Sequence, residues 1–466
     1  MISFEAYQSP FSWRYGSPEM RRIWGEKNKR LIWRRLWVAL AEAQTDWGLA
    51  THAQVEDLKA HMAEVDVALA LDFEKSSRHD LMAELKVFAS QCPKGGGILH
   101  LGATSMDIKD NAEVLQIAQS LDLIVPKLRK LLKILAGRVE EYAGMPVMAF
   151  THLQPAEPTT LGYRLSGYAQ DLLGDYEVLL NVRSELKGKG FKGAVGNAAA
   201  YVMLYGQEGQ RRLEASLSQA LELPFFEVAT QTYSRRQDYI VLSTLAGLAA
   251  TAHKFAFDLR LLQSEVIGEL SEPFGEAQVG SSAMPFKRNP IDAEKICSLA
   301  RAVSAAPLTA WHNHADSLLE RTLDDSANRR TLLPETFLAI DEILMTLITI
   351  MEGFKVNPIR MKGNLDKFGP FAAIERVMLA AVQKGADRQA MHAALRELSM
   401  AAWQAVENGE ANPLAGLVMQ DERVTRWIAQ ADLSQLFAVE EYTGMAESRA
   451  REMAEKIMSR VKPPPK

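Results

Sequence analysis

The segment from Gly280 to Pro290 has hydroxyl, ammonium, guanidinium and amide donors around two prolines. It reads Gly280-Ser281-Ser282-Ala283-Met284-Pro285-Phe286-Lys287-Arg288-Asn289-Pro290. Glycine adopts backbone conformations closed to other residues, and each proline fixes its own φ and restrains the residue before it. Such a loop can open to admit a ligand and then close its donors over that ligand. An ordinary surface loop does not explain this density of donors, so the segment predicts a functional site.

Two histidines stand in settings that suit substrate binding or proton transfer. His79 lies between Arg78 and Asp80, so a cation and a carboxylate flank its imidazole. His152 lies within residues 151–155, just before a proline and near the start of a predicted long helix. Histidine titrates near neutral pH, which suits acid–base work. A partly buried structural histidine explains either residue taken alone, so the two are candidates that need support from elsewhere in the chain.

Two further patterns resemble cofactor or metal sites but are interpreted otherwise. Residues 188–193 match GxGxxG, yet a dinucleotide site needs a strand before the glycines, and residues 175–187 are charged and helical in pattern. We predict a flexible loop there, near a bound anion. His312 and His314 have no third clustered ligand, and the chain has only 2 cysteines. We therefore expect no cofactor and no metal.

The composition is typical of a soluble globular protein. The 466 residues are 47% hydrophobic and 24% charged, with a net charge of −5. Acidic and basic residues are mixed along the chain, so neither nucleic acid nor a membrane is an expected partner. Charged residues interrupt any apolar run near the N-terminus, and the most apolar stretch, residues 239–251, is too short to span a bilayer. A cytoplasmic location is the expectation.

Helical spacing of apolar residues dominates the chain, and period-2 alternation is scarce. The longer predicted helices are residues 27–47, 111–142, 159–187, 208–221, 234–270, 290–311 and 328–354. Several exceed the usual globular length, which favours a bundle of long helices. We predict an all-α protein with an N-terminal helical domain at 1–110, a central long-helix bundle at 111–365 and a C-terminal helical domain at 366–466. The proline-rich tail, residues 462–466, is expected to be disordered.

The segment at Gly280 resembles the signature of the fumarase/aspartase superfamily of lyases, Ser-Ser-x-Met-Pro-x-Lys-x-Asn-Pro, at every fixed position. Residues 100–107 and 151–155 are similar to the other two signature regions of that superfamily, in the same order. Three more segments resemble its adenylosuccinate lyase branch, and these are residues 14–20, 78–80 and 320–330. The resemblance covers nearly the whole chain, and it implies the three-domain, all-α fold of the superfamily.

The resemblance also implies a reaction and a role for each matched residue. The reaction is β-elimination of fumarate from adenylosuccinate, giving AMP, and from SAICAR, giving AICAR. Ser281 is implied as the general base and His152 as the general acid. Glu294 is implied to orient that histidine, and Lys287 to stabilise the developing negative charge. The residues implied to bind substrate are Arg14, Tyr15, Arg78, His79, Asp80, Thr104, Ser105, Gln231, Asn289, Lys295, Arg321, Ser326 and Arg330.

The sequence leaves alternatives open for the base and for the function. The residue types alone do not separate Ser281 from Ser282 as the base. The alternative functions are another fumarate-releasing lyase of the superfamily, such as argininosuccinate lyase, and a non-catalytic scaffold of the same fold. The resemblance further implies a homotetramer with active sites shared between subunits, and a nucleotide as the small-molecule substrate.

Overall fold

A computed structural model describes residues 5–462, and it is built mostly from α-helices. The helices are α1 (Pro18–Ile23), α2 (Glu26–Gln44), α3 (His52–His61), α4 (Val67–Ser77), α5 (Asp80–Gln91), α6 (Ser105–Glu141), α7 (Leu161–Ser184), α8 (Ala199–Ala220), α9 (Arg236–Leu262), α10 (Ile291–Ala315), α11 (Asp325–Gly353), α12 (Pro358–Gln383), α13 (Arg388–Glu407), α14 (Leu414–Gln420), α15 (Glu422–Thr425), α16 (Gln430–Leu436) and α17 (Ala446–Arg460). The predicted all-α class is confirmed. Most of the tail that was predicted to be disordered, residues 463–466, lies outside the described residues.

Short strands form two antiparallel pairs. The strands are β1 (Pro146–Thr151), β2 (Gln154–Thr160), β3 (Leu270–Ser271) and β4 (Lys355–Val356). β1 pairs with β2, and β3 pairs with β4. The β1–β2 hairpin was not predicted, but it directly precedes α7, so residues 151–155 do lie near the start of a long helix. Proline is tolerated in β2 because both strands of a two-stranded sheet are edge strands.

The described chain divides into two compact units. The first comprises the chain up to Leu128 with Asp175–Ala252 and Ser298–Met345, and the second comprises Arg129–Gly174, His253–Cys297 and the chain from Thr346 onwards. The long helices α6, α7, α9, α10 and α11 each run from one unit into the other. The division into three domains at residues 110 and 365 stays a prediction.

Helix α6 begins at Ser105, six residues before the predicted start at residue 111. Asp107 explains the difference, because its carboxylate reaches back to accept the backbone N–H of Thr104 at 3.0 Å. This is one half of a capping box, in which the third helical residue satisfies the backbone donor of the N-cap. The pattern Thr104-x-x-Asp107 is present in the sequence, so this start was predictable from a helix-capping signal.

Glycines set two other helix boundaries. Gly206 interrupts α8 with φ 71° and ψ 170°, so the uninterrupted helix after it starts close to the predicted residue 208, and only the helical turns from Ala199 were missed. The helix predicted for 234–270 ends at Leu262, and the chain then turns through Gly268 at φ 66° before β3. Both glycines have positive φ angles, which other residues adopt only at a cost.

By length and composition α9 could cross a membrane, but several of its apolar residues, such as Leu245 and Leu248, are fully buried within the protein.

The loop of residues 188–193 is buried and encloses the carboxylate of Asp107, which corrects the prediction of a flexible loop. Lys189 forms an ion pair with Asp107, and both side chains are fully buried. The backbone N–H groups of Lys192 and Gly193 also donate to Asp107, each at 3.2 Å. The anion that the glycine-rich pattern suggested is therefore a side chain of the protein itself.

A second set of buried charges joins α6 to the starts of α9 and α11. Arg235 donates to both carboxylate oxygens of Asp110 at 3.1 and 3.2 Å, and to Asp325 at 2.8 Å. Arg329, on the first turns of α11, donates to Asp238 on α9 at 2.9 Å. All five side chains are buried. Buried charges need such partners, so these pairs restrict how the three helices can be arranged.

We expect Asp107→Asn to lower the free energy of unfolding by about 3–5 kcal/mol, because Lys189 would stay buried without its carboxylate. Asp122→Asn on the same helix is the matched control. Asp122 binds Arg183 at 2.8 and 3.0 Å, but the two side chains are 56% and 38% exposed. Its loss should cost less than about 1 kcal/mol. Urea unfolding at one protein concentration measures both, and equal costs would contradict a special role for the buried pair.

Candidate active site

A cavity of about 350 Å³ in the first unit collects most of the predicted substrate-binding residues. Those that line it are Arg78, His79, Asp80, Thr104, Ser105, Gln231, Arg321, Ser326 and Arg330. Three helices start at its wall, namely α5 at Asp80, α6 at Ser105 and α11 at Asp325. The N-terminus of a helix carries partial positive charge and free N–H donors. The cavity is therefore suited to anions.

The charged side chains of the cavity wall also favour anions. Arg78, Lys109, Arg321 and Arg330 are basic, and only Glu74 and Asp80 are acidic. Arginine offers a planar fork that matches carboxylate and phosphate oxygens, and lysine offers a compact charge. The wall therefore suits a ligand with more than one anionic group.

His79 has a defined tautomer in this wall. It is the N-cap of α5, and its Nδ1 accepts the backbone N–H of Met82 at 3.3 Å. Because Nδ1 accepts, the neutral ring carries its proton on Nε2, which lies 3.3 Å from the Ser105 hydroxyl. His79 thus presents an N–H donor beside Ser105 in the cavity wall, and its role in binding substrate stays a prediction.

The remaining donors come from two loops that a backbone hydrogen bond joins. Gln231 donates its N–H to the carbonyl of Glu320 at 3.1 Å. Arg321, the next residue, donates to Asp325 at 2.9 Å. These contacts bring Gln231, Arg321 and Ser326 to one side of the cavity.

Arg14 and Tyr15 lie in the same unit but do not line this cavity. The Arg14 guanidinium lies 5.8 Å from the ring centroid of Trp13 and 5.9 Å from that of Tyr15. The backbone N–H of Gly16, which follows Tyr15, donates to Glu342 on α11 at 3.1 Å. Their predicted contact with substrate therefore stays a prediction.

His152 lies at the tip of the β1–β2 hairpin in the second unit. Thr151 pairs with Gln154, so only His152 and Leu153 form the turn. Their φ angles are 52° and 59°, as in a type I′ turn, where Asn-Gly is the usual pair. A bulky residue in the left-handed region costs about 1–3 kcal/mol, and such strain clusters at functional sites. Both side chains are exposed, and the strained turn projects the imidazole into solvent.

The loop at Gly280 is closed by contacts within the second unit. A Cβ at Gly280 would lie 2.0 Å from the carbonyl oxygen of Lys287, so glycine is required by close approach. This corrects the prediction that Gly280 is needed for its backbone freedom. The side-chain amide of Asn289 donates to the Gly280 carbonyl at 3.0 Å. Asn289 therefore closes the loop in this structure.

Two residues that the sequence reasoning missed hold the ends of this loop. Gln263 accepts the N–H of Glu272 at 2.9 Å and donates to the carbonyl of Arg288 at 3.0 Å. Glu272 accepts the backbone N–H groups of Asp292 and Ala293, and so caps α10. Burial raises the pKa of the Glu272 carboxyl, and these N–H groups oppose the rise. No local sequence pattern marks either residue, because their partners are distant along the chain.

The Ser281 hydroxyl differs from that of Ser282 in its backbone partners. Ser281 Oγ accepts the N–H of Met284 at 3.1 Å and that of Ala283 at 3.4 Å. Within residues 5–462, no N–H group donates to Ser282 Oγ. Donors aimed at a hydroxyl oxygen stabilise its deprotonated form. Only the first serine has them here.

In the part of the chain that the structure describes, no hydrogen bond or ion pair joins the predicted catalytic residues of the second unit to one another. Glu294 lies 3.8 Å from Arg260, and Lys295 pairs with Asp292 at 3.2 Å. Among the described residues, no hydrogen bond joins His152 to Ser281 or Glu294. Likewise, within residues 5–462, no group of three His, Cys, Asp or Glu side chains is placed to hold a metal ion.

Lys109 is a cavity residue that the sequence reasoning missed. Its Nζ lies 2.8 and 3.0 Å from the two carboxylate oxygens of Asp80. The sequence spacing could have indicated this position, since Lys109 follows Ser105 by four residues and so lies on the same helix face. The late predicted start of α6 concealed that spacing.

Comparison with known proteins decides the family. Residues 13–304 match the family described as Lyase, and residues 370–453 match the adenylosuccinate lyase C-terminus. The chain is 40% identical to the adenylosuccinate lyase of Schistosoma mansoni over 405 residues, which cover 86% of this chain and 84% of the relative. It is also 40% identical to that of Saccharomyces cerevisiae over 435 residues, covering 91% and 89%. The chain belongs to the adenylosuccinate lyase family.

Membership of the adenylosuccinate lyase family confirms the predicted superfamily, fold and enzyme class, a C–N lyase. Among solved structures, the 3-carboxy-cis,cis-muconate lactonizing enzyme from Pseudomonas putida superposes with a TM-score of 0.86. It shares 26% sequence identity, and the match covers 97% of this chain and 100% of that one. The same helical frame thus serves more than one reaction, so sequence relatives and site residues distinguish the branches.

We expect Leu153→Gly to raise the free energy of unfolding by about 1 kcal/mol, because glycine relieves the left-handed strain at the hairpin tip. Leu153 is 69% exposed, so little buried surface is lost. Leu379→Gly within helix α12 is the control, since Leu379 is 51% exposed and glycine there should cost about 1 kcal/mol. Urea unfolding measures both changes. A loss of stability in both variants would rule out strain at the tip.

Proposed function

We propose that this protein catalyses β-elimination of fumarate from adenylosuccinate, giving AMP, and from SAICAR, giving AICAR, in purine nucleotide biosynthesis. The observation that carries the proposal is the cavity of the first unit, with four basic side chains and three helix N-termini in a member of this family. Each substrate brings two carboxylates and one phosphate. A wall of this charge suits such a ligand, whereas a substrate without phosphate would leave cations unmatched.

Ser281 is the general base in this proposal. It removes a weakly acidic proton from the carbon next to a substrate carboxylate. A serine hydroxyl is a poor base in water, but the N–H groups of Ala283 and Met284 stabilise the alkoxide once water is excluded. Lys287 adds a positive charge and binds the carboxylate that becomes more negative as the proton leaves. The hydrogen bonds to Ser281 support it over Ser282.

His152 is the general acid in this proposal. Electrons of the broken C–H bond form the double bond of fumarate, the C–N bond breaks, and the departing nitrogen receives a proton from the imidazole. Glu294 is assigned to orient that imidazole and favour its protonated form. Lys295 and Asn289 are assigned to substrate binding, as in the family.

Each active site combines residues of different subunits in this proposal, within a homotetramer. His152 and Ser281 have no hydrogen bond to each other in one chain, and the hairpin tip projects into solvent. Long helices α7, α9 and α10 expose apolar side chains that a neighbouring copy would cover. These are Val178, Leu180, Phe257, Leu308 and Trp311. We further propose a cytoplasmic location without nucleic-acid or membrane partners.

We expect the protein to release fumarate from adenylosuccinate and SAICAR but not from argininosuccinate. Ultraviolet absorbance follows the release. Ser281→Ala should lower kcat about 10²–10⁴-fold, the usual range for loss of an acid–base group. Ser282→Ala is the matched control and should keep kcat within about tenfold, since it is not the base in this proposal. Release from argininosuccinate alone would contradict the substrate, no release from any of them would favour a scaffold, and a larger loss in Ser282→Ala would reassign the base.

We expect Ser281→Ala protein mixed with His152→Ala protein to regain part of the activity after subunits exchange. Some mixed sites then contain both wild-type residues. Native mass spectrometry verifies the exchange, and two preparations of Ser281→Ala carrying different tags are the control that should stay inactive. Verified exchange without recovery would exclude sites that take Ser281 and His152 from different chains.

A further inference from the structure

Lys109 is held in the wall of the cavity by Asp80. Its side chain is 22% exposed, and its Nζ contacts both oxygens of the Asp80 carboxylate. Asp80 is itself 11% exposed and begins α5, where its Oδ1 accepts the N–H of Leu81 at 2.8 Å. The lysine is therefore fixed at a site facing the cavity and is not a solvated surface group.

Arg330 approaches the same carboxylate from α11. Its Nη2 lies 3.2 Å from Asp80 Oδ2, the oxygen that Lys109 contacts at 2.8 Å. Both cations are thus within hydrogen-bonding distance of a single oxygen atom. Burial alone would raise the pKa of the Asp80 carboxyl, but Lys109, the backbone N–H of Leu81 and Arg330 together outweigh it, and the pKa lies below its usual value. Asp80 is therefore a fixed anion that brings two positive charges together.

A smaller cavity of about 70 Å³ shares this bridge with the larger one, because Lys109, Asp80 and Arg330 line both. The residues that line only the smaller cavity are Lys29, Trp33, Glu113 and Arg329. Glu113 pairs with Arg329 at 2.8 Å, so the charge of that arginine is matched. The bridge itself contains two cations and one carboxylate, so the larger cavity keeps its preference for anions.

We propose that Lys109 and Arg330 together bind the phosphate of the substrate and that Asp80 is the positioning residue for both. This inference rests on the proposed function, which supplies a nucleotide as ligand. A carboxylate is satisfied by one guanidinium fork, whereas a phosphate dianion takes two separate cations. Ser326, one helical turn before Arg330 at the start of α11, adds a hydroxyl and the positive end of a long helix.

The test compares Lys109→Met with Lys109→Arg and with Lys133→Met, an exposed lysine on the same helix. Titration calorimetry measures binding of inorganic phosphate, AMP and succinate. Lys109→Met should weaken phosphate and AMP binding about tenfold and leave succinate binding unchanged, because one charged hydrogen bond is lost. It should raise the KM for adenylosuccinate by more than it lowers kcat. Lys109→Arg should restore most of the affinity, and Lys133→Met should match the wild type.

The variant Asp80→Asn distinguishes a role of Asp80 in positioning the two cations from an effect of its negative charge alone. Loss of a negative charge would by itself tighten anion binding, whereas loss of the group that holds both cations should weaken phosphate binding several-fold. Unchanged or tighter phosphate binding in that variant overturns the role of Asp80. Unchanged phosphate binding in Lys109→Met, weaker succinate binding in its place, or no phosphate binding by the wild type overturns the role of Lys109. A wild type that binds phosphate but releases no fumarate contradicts the proposed function alone.

Discussion

Two buried carboxylates on α6, Asp107 and Asp110, impose the constraint on which the first unit depends. A charge removed from water is costly unless partners match it. Asp107 is matched by Lys189 and the loop around it, and Asp110 by Arg235, which also binds Asp325. Because these contacts are directional, the starts of α6 and α11 are held in one arrangement. Those two helix starts line the cavity of the first unit, so the buried charges determine where its helix N-termini lie.

The residues proposed to bind substrate and those proposed to transfer protons are held by different kinds of structure. His79 and Ser105 lie at the starts of helices braced by buried ion pairs, so their donors are positioned before any ligand arrives. His152 lies exposed on a hairpin turn, and Ser281 lies half-buried in a loop whose residues 282–288 are exposed. Preorganised charge favours tight, oriented binding. Proton transfer by a serine needs water to be excluded only during reaction, which suits groups that are covered when a site closes.

The sequence predicted the long helices and the superfamily well, because apolar spacing and a long motif are strong local signals. It failed where a structure depends on distant partners or on unusual turn residues. The β1–β2 hairpin was missed because His152 and Leu153 occupy a turn that normally carries Asn-Gly. The glycine pattern at 188–193 indicated an anion, but nothing local showed that Asp107 is that anion. Lys109 could have been predicted as a cavity residue from its spacing to Ser105. It was not, because the capping signal at Thr104 was missed and the start of α6 was placed too late.

The side-chain amides of Gln263 and Asn289 form hydrogen bonds that divide the Gly280 loop into short segments. Gln263 joins its outer ends, and Asn289 ties Gly280 to the start of α10, so residues 281–286 are the part left between close contacts. Short loops move on a nanosecond-to-microsecond timescale, and ordering a short segment removes less entropy than ordering a long one. Ordering this segment over a bound substrate therefore costs little conformational entropy.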